Sequence, residues 1–497
     1  MSLFGGVFSR GGADINDEAW LQALLDAEAG LARAVERAGL APAGSGAEVT
    51  RAAVAADFDI AGLGRLSALT GNPVPGLARA LSRRVSATAA RAVHRGATSQ
   101  DIMDTAAMLL ARRALDASRA DLERAADAAA HLAATHRGSV MIGRTQLQQA
   151  VPVTFGVVAA GWLSGLDAAI DGVAAAREAR LAVQFGGATG TLASLGAGGD
   201  RVKALFAEEV GLPDPALPWH TERLRIIDVA IAMARVTAAL GKIARDVALL
   251  AQTEVAEVAE GPGDGPGEGR AEARAEAPAH GAAQRPAHGP ARGAAHGPAH
   301  GTGHTNGTAP RRGGSSAAPN KANPVAAVAI LGCARQVPGL VATVVASAEQ
   351  EHQRAAGAWH AEWQPFTDIL RLASSAAAWG AELLTGLQVD TARMAANLAS
   401  AGGLPLAERV TALLATVLGG PQAHELVATA AARAASSGLP LRDVLLAAPE
   451  LEERLDEAGI TPGQIEAALD PAGYLGSSAD FITAALRAHD QARACDG

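Results

Sequence analysis

IIDVAIAMARVTAALGKIARDVALLAQTEVAEVA, residues Ile226–Ala259, is the stretch on which the fold turns. It is rich in alanine, the best helix former, and its Val and Ile residues lack the period-2 polarity of a half-buried strand. A helix of more than thirty residues with that composition needs neighbours on more than one face, which a bundle of long helices supplies.

Working outward, similar stretches recur over about Asp14–Ala38, Pro75–Ala92, Asp101–Thr135, Val153–Val183, Val325–Gln350, Thr367–Leu387 and Thr391–Ala401. In the first, Trp20, Leu21, Leu24, Leu25, Leu31, Ala32 and Val35 share a face that Glu28 interrupts, and Gly39 with Pro42 ends it. About a quarter of the 497 residues is alanine and only 3% aromatic, so the 49% apolar share favours helices over sheets. The fold class expected is all-α. After Gly402 shorter helices follow: Leu404–Leu418, Ala423–Ser437, Leu441–Leu446, Leu451–Ala458, Thr461–Leu469 and Ser478–Ala494. The expected division is an N-terminal helical domain over 1–104, a long-helix bundle over 105–365 and a C-terminal helical region over 366–497.

Gly261–Arg312 contains no Val, Ile, Leu, Met, Phe or Trp, and its histidines at 280, 288, 296, 300 and 304 sit in a loose PAHG-like repeat. With nothing to offset the entropy of ordering, it reads as a disordered insertion without a catalytic role. The net charge of −9 argues against a nucleic-acid partner. Cys333 and Cys495 cannot form a disulfide framework, and no Cys/His spacing suggests zinc, so no structural metal is expected. The opening MSLFGGVFSRGGAD lacks a basic region followed by an apolar core, and no uninterrupted apolar run reads as long enough to span a membrane. The expectation is a soluble, cytoplasmic protein with no membrane partner.

Four polar segments lie between helical stretches. HRGATSQDIMDT (His94–Thr105) offers Thr98, Ser99 and Asp101 as helix caps, at a helix start whose free N–H groups suit an anion. GRTQLQQAVPVTFG (Gly143–Gly156) carries Arg144, Thr145, Gln146, Gln148 and Gln149, one cation among neutral donors. RRGGSSAAPNKANPV (Arg311–Val325) combines flexible glycines, Ser315 and Ser316, Lys321 and Asn323, a composition able to close over a carboxylate. EQEHQRAAGAWHAEWQPF (Glu349–Phe366) gathers His352, Arg354, Trp359, His360, Glu362 and Trp363, which reads as a functional surface.

In this order the segments resemble the fumarase/aspartase superfamily, whose members share the loop pattern GSSxMPxKxNP. The closer resemblance is to the bacterial 3-carboxy-cis,cis-muconate cycloisomerase group. QFGGATGTLASLG (Gln184–Gly196), LPWHTERLRI (Leu217–Ile226), LLAQTEVAEVAE (Leu249–Glu260) and DPAGYLGSSADF (Asp470–Phe481) add to it. The resemblance implies an all-α homotetramer with active sites shared between subunits, a small tricarboxylate substrate, and no metal or organic cofactor. The implied chemistry is proton transfer α to a carboxylate coupled to bond making or breaking at the β carbon, here closing a lactone ring. By that resemblance Ser315 transfers the proton. Thr98, Ser99, Lys321, Asn323 and Arg354 bind substrate carboxylates, with Arg144, Thr145, Gln146, His220 and Arg223 as further substrate-binding residues.

Adenylosuccinate lyases have a histidine in GRTH where this chain has Gln146, and a His-Asp pair where it has Asn72-Pro73. An amide does not titrate in this range, so Gln146 suits a leaving group that needs no protonation. The loop itself carries Ala318 for Met, Asn320 for His and Ala322 for Arg. The alternatives to a cycloisomerase are another lyase of the superfamily and a catalytically silent helical tetramer.

Overall fold

A computed structural model describes residues 5–261, 313–314, 321–447 and 459–495. Five long helices form the centre: Ser99–Thr135, Phe155–Ala179, Leu224–Leu250, Val325–Ala346 and Ala358–Thr385. The Ser99 helix packs on the Phe155 and Ala358 helices, and the Leu224 helix on the Phe155, Val325 and Ala358 helices. The architecture is all-α, as composition and periodicity led us to expect.

Local chemistry sets the starts of these helices. Thr98 and Asp101 form a reciprocal capping box on the Ser99 helix. The Thr154 hydroxyl accepts from the Val157 N–H at 3.2 Å. At the Val325 helix the Glu260 carboxylate accepts from the Ala326 and Ala327 N–H groups at 3.1 and 2.9 Å, which also suits the positive end of the helix dipole.

Several boundaries differ from expectation. The helix expected over Pro75–Ala92 ends at Ser82, and Ala89–Arg91 is a separate short turn. The helix expected over Ile226–Ala259 ends at Leu250, and Ala256 takes a φ of 51°. Val258–Glu260 then pairs antiparallel with Leu387–Val389. Val153 and Thr154 belong to a hairpin of Val140–Thr145 and Gln148–Thr154 rather than to the next helix. The last long helix begins at Ala358, nine residues before its expected start at Thr367, and carries Pro365 inside it.

Both expected domain limits, 104/105 and 365/366, fall inside long helices whose two halves share the main core. A second core does form beyond them, from Val410, Leu414, Val427, Leu441, Leu445 and Ile465. The chain then returns to the bundle: Ser478–Cys495 packs along the Phe155 and Ser99 helices. There His489 meets Asp167 through Nδ1 at 2.9 Å and Asp127 through Nε2 at 3.2 Å. The helix expected over Leu451–Ala458 and the tract 262–312 lie outside the described residues.

By length and composition alone, Phe155–Ala179 and Val325–Ala346 are apolar enough to cross a membrane, which the reading of the sequence did not register. The Phe155 helix is clasped by three bundle neighbours. The Val325 helix leaves apolar side chains such as Val328 and Val345 exposed on a single chain.

Candidate active site

The start of the Ser99 helix is the centre of a buried polar cluster. Asp101 is fully buried and accepts four hydrogen bonds: from the Thr98 N–H at 2.9 Å, the Gly186 N–H at 3.0 Å, the Gly187 N–H at 2.9 Å and His220 Nε2 at 2.7 Å. One carboxylate therefore fastens the helix start, the loop after Gln184 and the His220 segment together. The loop must be glycine here. Gly187 has a φ of 69° and a Cβ on it would sit 2.9 Å from the Gly96 carbonyl oxygen, while one on Gly186 would meet His220 at 2.8 Å.

Gln100 and Arg354 join the same cluster. The Gln100 amide nitrogen donates to the His220 carbonyl at 2.8 Å, and its oxygen accepts from Arg354 Nη1 at 2.8 Å. Arg354 Nη2 donates to the Gly187 and Ala188 carbonyls at 3.0 and 2.8 Å. Thr98, Ser99, His220 and Arg354 are thus brought to one place, with Thr98, Ser99 and Arg354 half-buried. Nearby, His94 holds a φ of 56° and bonds the fully buried Glu28 through its N–H at 2.9 Å and through Nδ1 at 2.7 Å. Burial disfavours the charged imidazole, but Glu28 outweighs it and raises the His94 pKa.

One turn deeper, Arg223 is 2% exposed and its guanidinium is filled from within the chain. It donates to both Asp104 oxygens at 2.8 and 3.0 Å and to both oxygens of Glu362, one of them at 3.3 Å. Trp359 Nε1 and Gln184 Nε2 complete the Asp104 shell, each at 3.2 Å. Burial works against the Arg223 charge, yet the two carboxylates hold its pKa above the ordinary value. The Glu362 carboxyl is pushed up to about 7 by burial, with Arg223 pulling it down and Asp104 adding to the rise. The charge of Arg223 is spent on Asp104 and Glu362, so it supports the site from beneath rather than offering itself to an anion.

The remaining expected residues lie at the other end of the bundle. Arg144 donates to both oxygens of the fully buried Glu257 at 2.8 Å, and Asn397 donates to the same carboxylate at 2.8 Å. Arg144 is therefore also neutralised within its own chain. Gln146 and Leu147, with φ of 52° and 65°, make the two-residue turn of the hairpin, and Thr145 and Gln146 stand exposed at its tip. Asn323 bonds the Gly313 carbonyl through its backbone N–H at 2.9 Å and its side-chain amide at 3.0 Å, with Gly314 bridged to Ala322, and Lys321 is exposed beside this stem. Ser315 lies outside the described residues.

The two groups are far apart. Arg223 immediately precedes the Leu224 helix and the Glu257 N–H bonds the Leu250 carbonyl at its far end. The 27 residues between, at 1.5 Å each, separate the groups by about 40 Å. A single chain does not bring Arg354 and Lys321 together.

The comparisons place this long-helix bundle with the lyase family, and the chain belongs to the fumarase/aspartase superfamily. Residues 12–262 match the lyase family model, and residues 403–485 match the model of the adenylosuccinate lyase C-terminus, which spans the second core. The chain is 42% identical to the nitrosuccinate lyase of Streptomyces davaonensis, over 97% of this chain and 93% of that protein. It is 40% identical to the 3-carboxy-cis,cis-muconate cycloisomerase of Bradyrhizobium diazoefficiens, over 95% and 94%. Among solved structures, the 3-carboxy-cis,cis-muconate lactonizing enzyme of Pseudomonas putida superposes with a TM-score of 0.81 at 35% identity, covering 99% of both chains.

Asp104, Glu257, Glu362 and Gln184 were not singled out as a set by their sequence. Asp104 had a signal: it stands among the apolar residues Ile102, Met103, Ala106 and Ala107, where a lone carboxylate needs a partner. The Glu349–Phe366 segment, read as one surface, divides in the fold. Arg354 joins the helix-start cluster and Trp359 and Glu362 the buried ion cluster, while His352 and His360 are exposed.

Proposed function

We propose that this lyase converts 3-carboxy-cis,cis-muconate to 4-carboxymuconolactone, as in protocatechuate breakdown, without added metal or nucleotide. The observation that carries this reading is the state of Arg354, whose partners are neutral oxygens and whose charge is left for an anion. It bonds Gln100 in the first turn of the Ser99 helix, whose positive end suits an anion, with Thr98 and Ser99 as neutral donors for a carboxylate. In the forward direction a substrate carboxylate oxygen bonds to the β carbon, and the electron pair moves to the neighbouring carboxylate as an aci-carboxylate. Ser315 then delivers a proton to the α carbon, and Lys321 stabilises the alkoxide left behind. Fixed donors at the carboxylate act most strongly where charge accumulates in the transition state.

Superfamily members are homotetramers with shared active sites. The separation of about 40 Å along the Leu224 helix supports the same assembly here, with Arg354 and the Thr98 end of one chain meeting Lys321, Asn323, Thr145 and Gln146 of others. The exposed apolar side of the Val325 helix fits burial against another copy. A cytoplasmic location goes with this activity.

Gln146 favours leaving groups that depart as stable anions. A second reading therefore has support from the 42% identity to a nitrosuccinate lyase. There a proton leaves the carbon next to the one bearing the nitro group, that carbon's C–N bond breaks, and fumarate and nitrite form. The deciding experiment offers the purified protein both compounds and follows loss of diene absorbance for one and release of nitrite for the other, with products identified by NMR. Diene loss with lactone formation, absent in Ser315→Ala, is expected; nitrite release alone moves the assignment to the second reading, and inactivity on both moves it to another lyase substrate or a silent homologue.

A further inference from the structure

Three arginines were expected to face substrate, and the structure separates them by what they touch. Arg144 is paired with the Glu257 carboxylate, and Arg223 with those of Asp104 and Glu362. Among the described residues Arg354 donates only to an amide oxygen and two peptide carbonyls. Three of its five N–H donors are used in this way, and no described carboxylate bonds it directly, Asp101 and Asp104 acting on it only through space.

The side chain that makes this possible is Gln100, which is 1% exposed. Its amide faces two ways, donating to the His220 carbonyl while accepting from Arg354, so only a neutral donor-acceptor group satisfies both sides. The carbonyl it uses belongs to the residue whose ring is latched to Asp101, and the Gly187 carbonyl that also holds Arg354 belongs to a residue whose N–H is latched to the same carboxylate. Arg354 is thereby oriented by a rigid frame. We propose that Gln100 is a positioning residue that fixes the Arg354 guanidinium for a substrate carboxylate through a neutral contact, without itself bringing a negative charge against it, and so sets affinity for polycarboxylates.

This inference rests on the reading of Arg354 as a carboxylate ligand. A glutamate at position 100 is nearly the same shape but differs in two respects when ionised. It places a negative charge against Arg354 and an acceptor against the His220 carbonyl. Protonated, it again donates to one partner and accepts from the other. Gln100→Glu therefore carries a signature that loss of structure does not: weak substrate binding that recovers as pH falls. The charged and titratable groups around this position are Arg354, the Asp101–His220 pair and the Asp104–Arg223–Glu362 cluster. Wild type and Gln100→Met share all of them and serve as the reference for their titration.

The test measures KM and kcat for 3-carboxy-cis,cis-muconate, or for nitrosuccinate if that is the substrate turned over. Calorimetric binding of the unreactive probe propane-1,2,3-tricarboxylate accompanies it, from about pH 5.5 to about pH 8, on full chains whose helicity and assembly match wild type. For Gln100→Glu at the upper pH, KM and the probe Kd are expected to rise about ten- to hundredfold, with kcat changed much less. Most of that loss should be recovered at the lower pH. Gln100→Met, which has no charge to titrate, should show a smaller rise that pH does not relieve, and it carries the test alone if the glutamate variant does not fold. Wild-type affinity in both variants, or equal losses at every pH, overturns the positioning role. If wild type neither turns over a substrate nor binds the probe, the functional reading fails first and this inference with it.

Discussion

Replacing Glu362 with glutamine isolates the surplus charge in the buried cluster beneath the site. Arg223 balances one carboxylate, and Asp104 already occupies that role through hydrogen bonds of 2.8 and 3.0 Å. Glu362 brings a second negative charge into a place where the side chains of all three groups are 1–4% exposed. Burial is the main reason its pKa stands at about 7 instead of 4.5, with Asp104 adding to the rise and Arg223 opposing it. A carboxyl whose folded pKa is raised binds its proton more tightly in the folded state. Its stabilising contribution is therefore complete below the unfolded value and lost as pH rises through about 7. At about 1.4 kcal/mol per pKa unit, the interval from 4.5 to about 7 corresponds to roughly 3 kcal/mol. Glutamine keeps an acceptor for Arg223 but does not titrate. Chemical unfolding of both proteins at one fixed protein concentration, from about pH 4.5 to about pH 8, should show wild type losing up to about 3 kcal/mol relative to Glu362→Gln. A lost hydrogen bond to Arg223 would shift the variant by a constant and leave this slope unchanged. A difference that is flat with pH refutes the account of Glu362 as a buried surplus charge.

Arg144→Met should lower stability by about 3 kcal/mol or more, because among the described residues it leaves the fully buried Glu257 carboxylate with only Asn397. Thermal unfolding checks this, and unchanged stability with a raised KM would make Arg144 a substrate ligand instead. Excising residues 263–309 should leave tetramer and activity largely intact, since the closure entropy of a connection grows only slowly with its length. The cut begins after Gly261 because its N–H donates to the Gly386 carbonyl at 2.9 Å, and loss of the tetramer on gel filtration would contradict the expectation. His489→Leu removes a side chain held by Asp167 and Asp127 and should cost about 1–3 kcal/mol. Faster amide exchange confined to Ser478–Cys495 would register it, and unaltered exchange there would show that apolar packing alone holds that helix.

The long helices were legible because Leu, Val and Ala recur on faces that the bundle buries, and Thr98 with Asp101 marks a start that the structure places at Ser99. Less legible was the hairpin. Gly143–Gly156 reads as a polar connector, but the second strand bulges at Ala150-Val151 opposite Gly143 and the Gln146-Leu147 turn fixes the register. The limits of the Pro75 and Ile226 helices were overrun because alanine supports a helix wherever tertiary contacts permit one and does not mark where they stop. Within the candidate site, Thr98, Ser99, His220 and Arg354 were expected from the family resemblance of their segments, and the structure brings these four together. What those segments could not convey is which cation meets a carboxylate of its own chain, since the partners of Arg223 and Arg144 come from residues more than a hundred positions away. Glu28 is a similar case: it broke an apolar stripe visibly, while His94, its reason for being there, lies 66 residues on.

The 37-residue Ser99–Thr135 helix runs from the Asp101 latch almost to the base of the Arg144 hairpin, and it sets an asymmetry in how such a chain tolerates length change over evolution. One residue inserted near its middle would turn everything beyond by about 100° and advance it by about 1.5 Å, carrying core residues to the surface and misaligning both ends together. Between Gly261, pinned to Gly386, and Gly313, pinned to Asn323, more than fifty residues are accommodated with both anchors kept. Lineages of this protein should accordingly vary freely in the length of that tract while the residue count from Thr98 to Arg144 stays fixed.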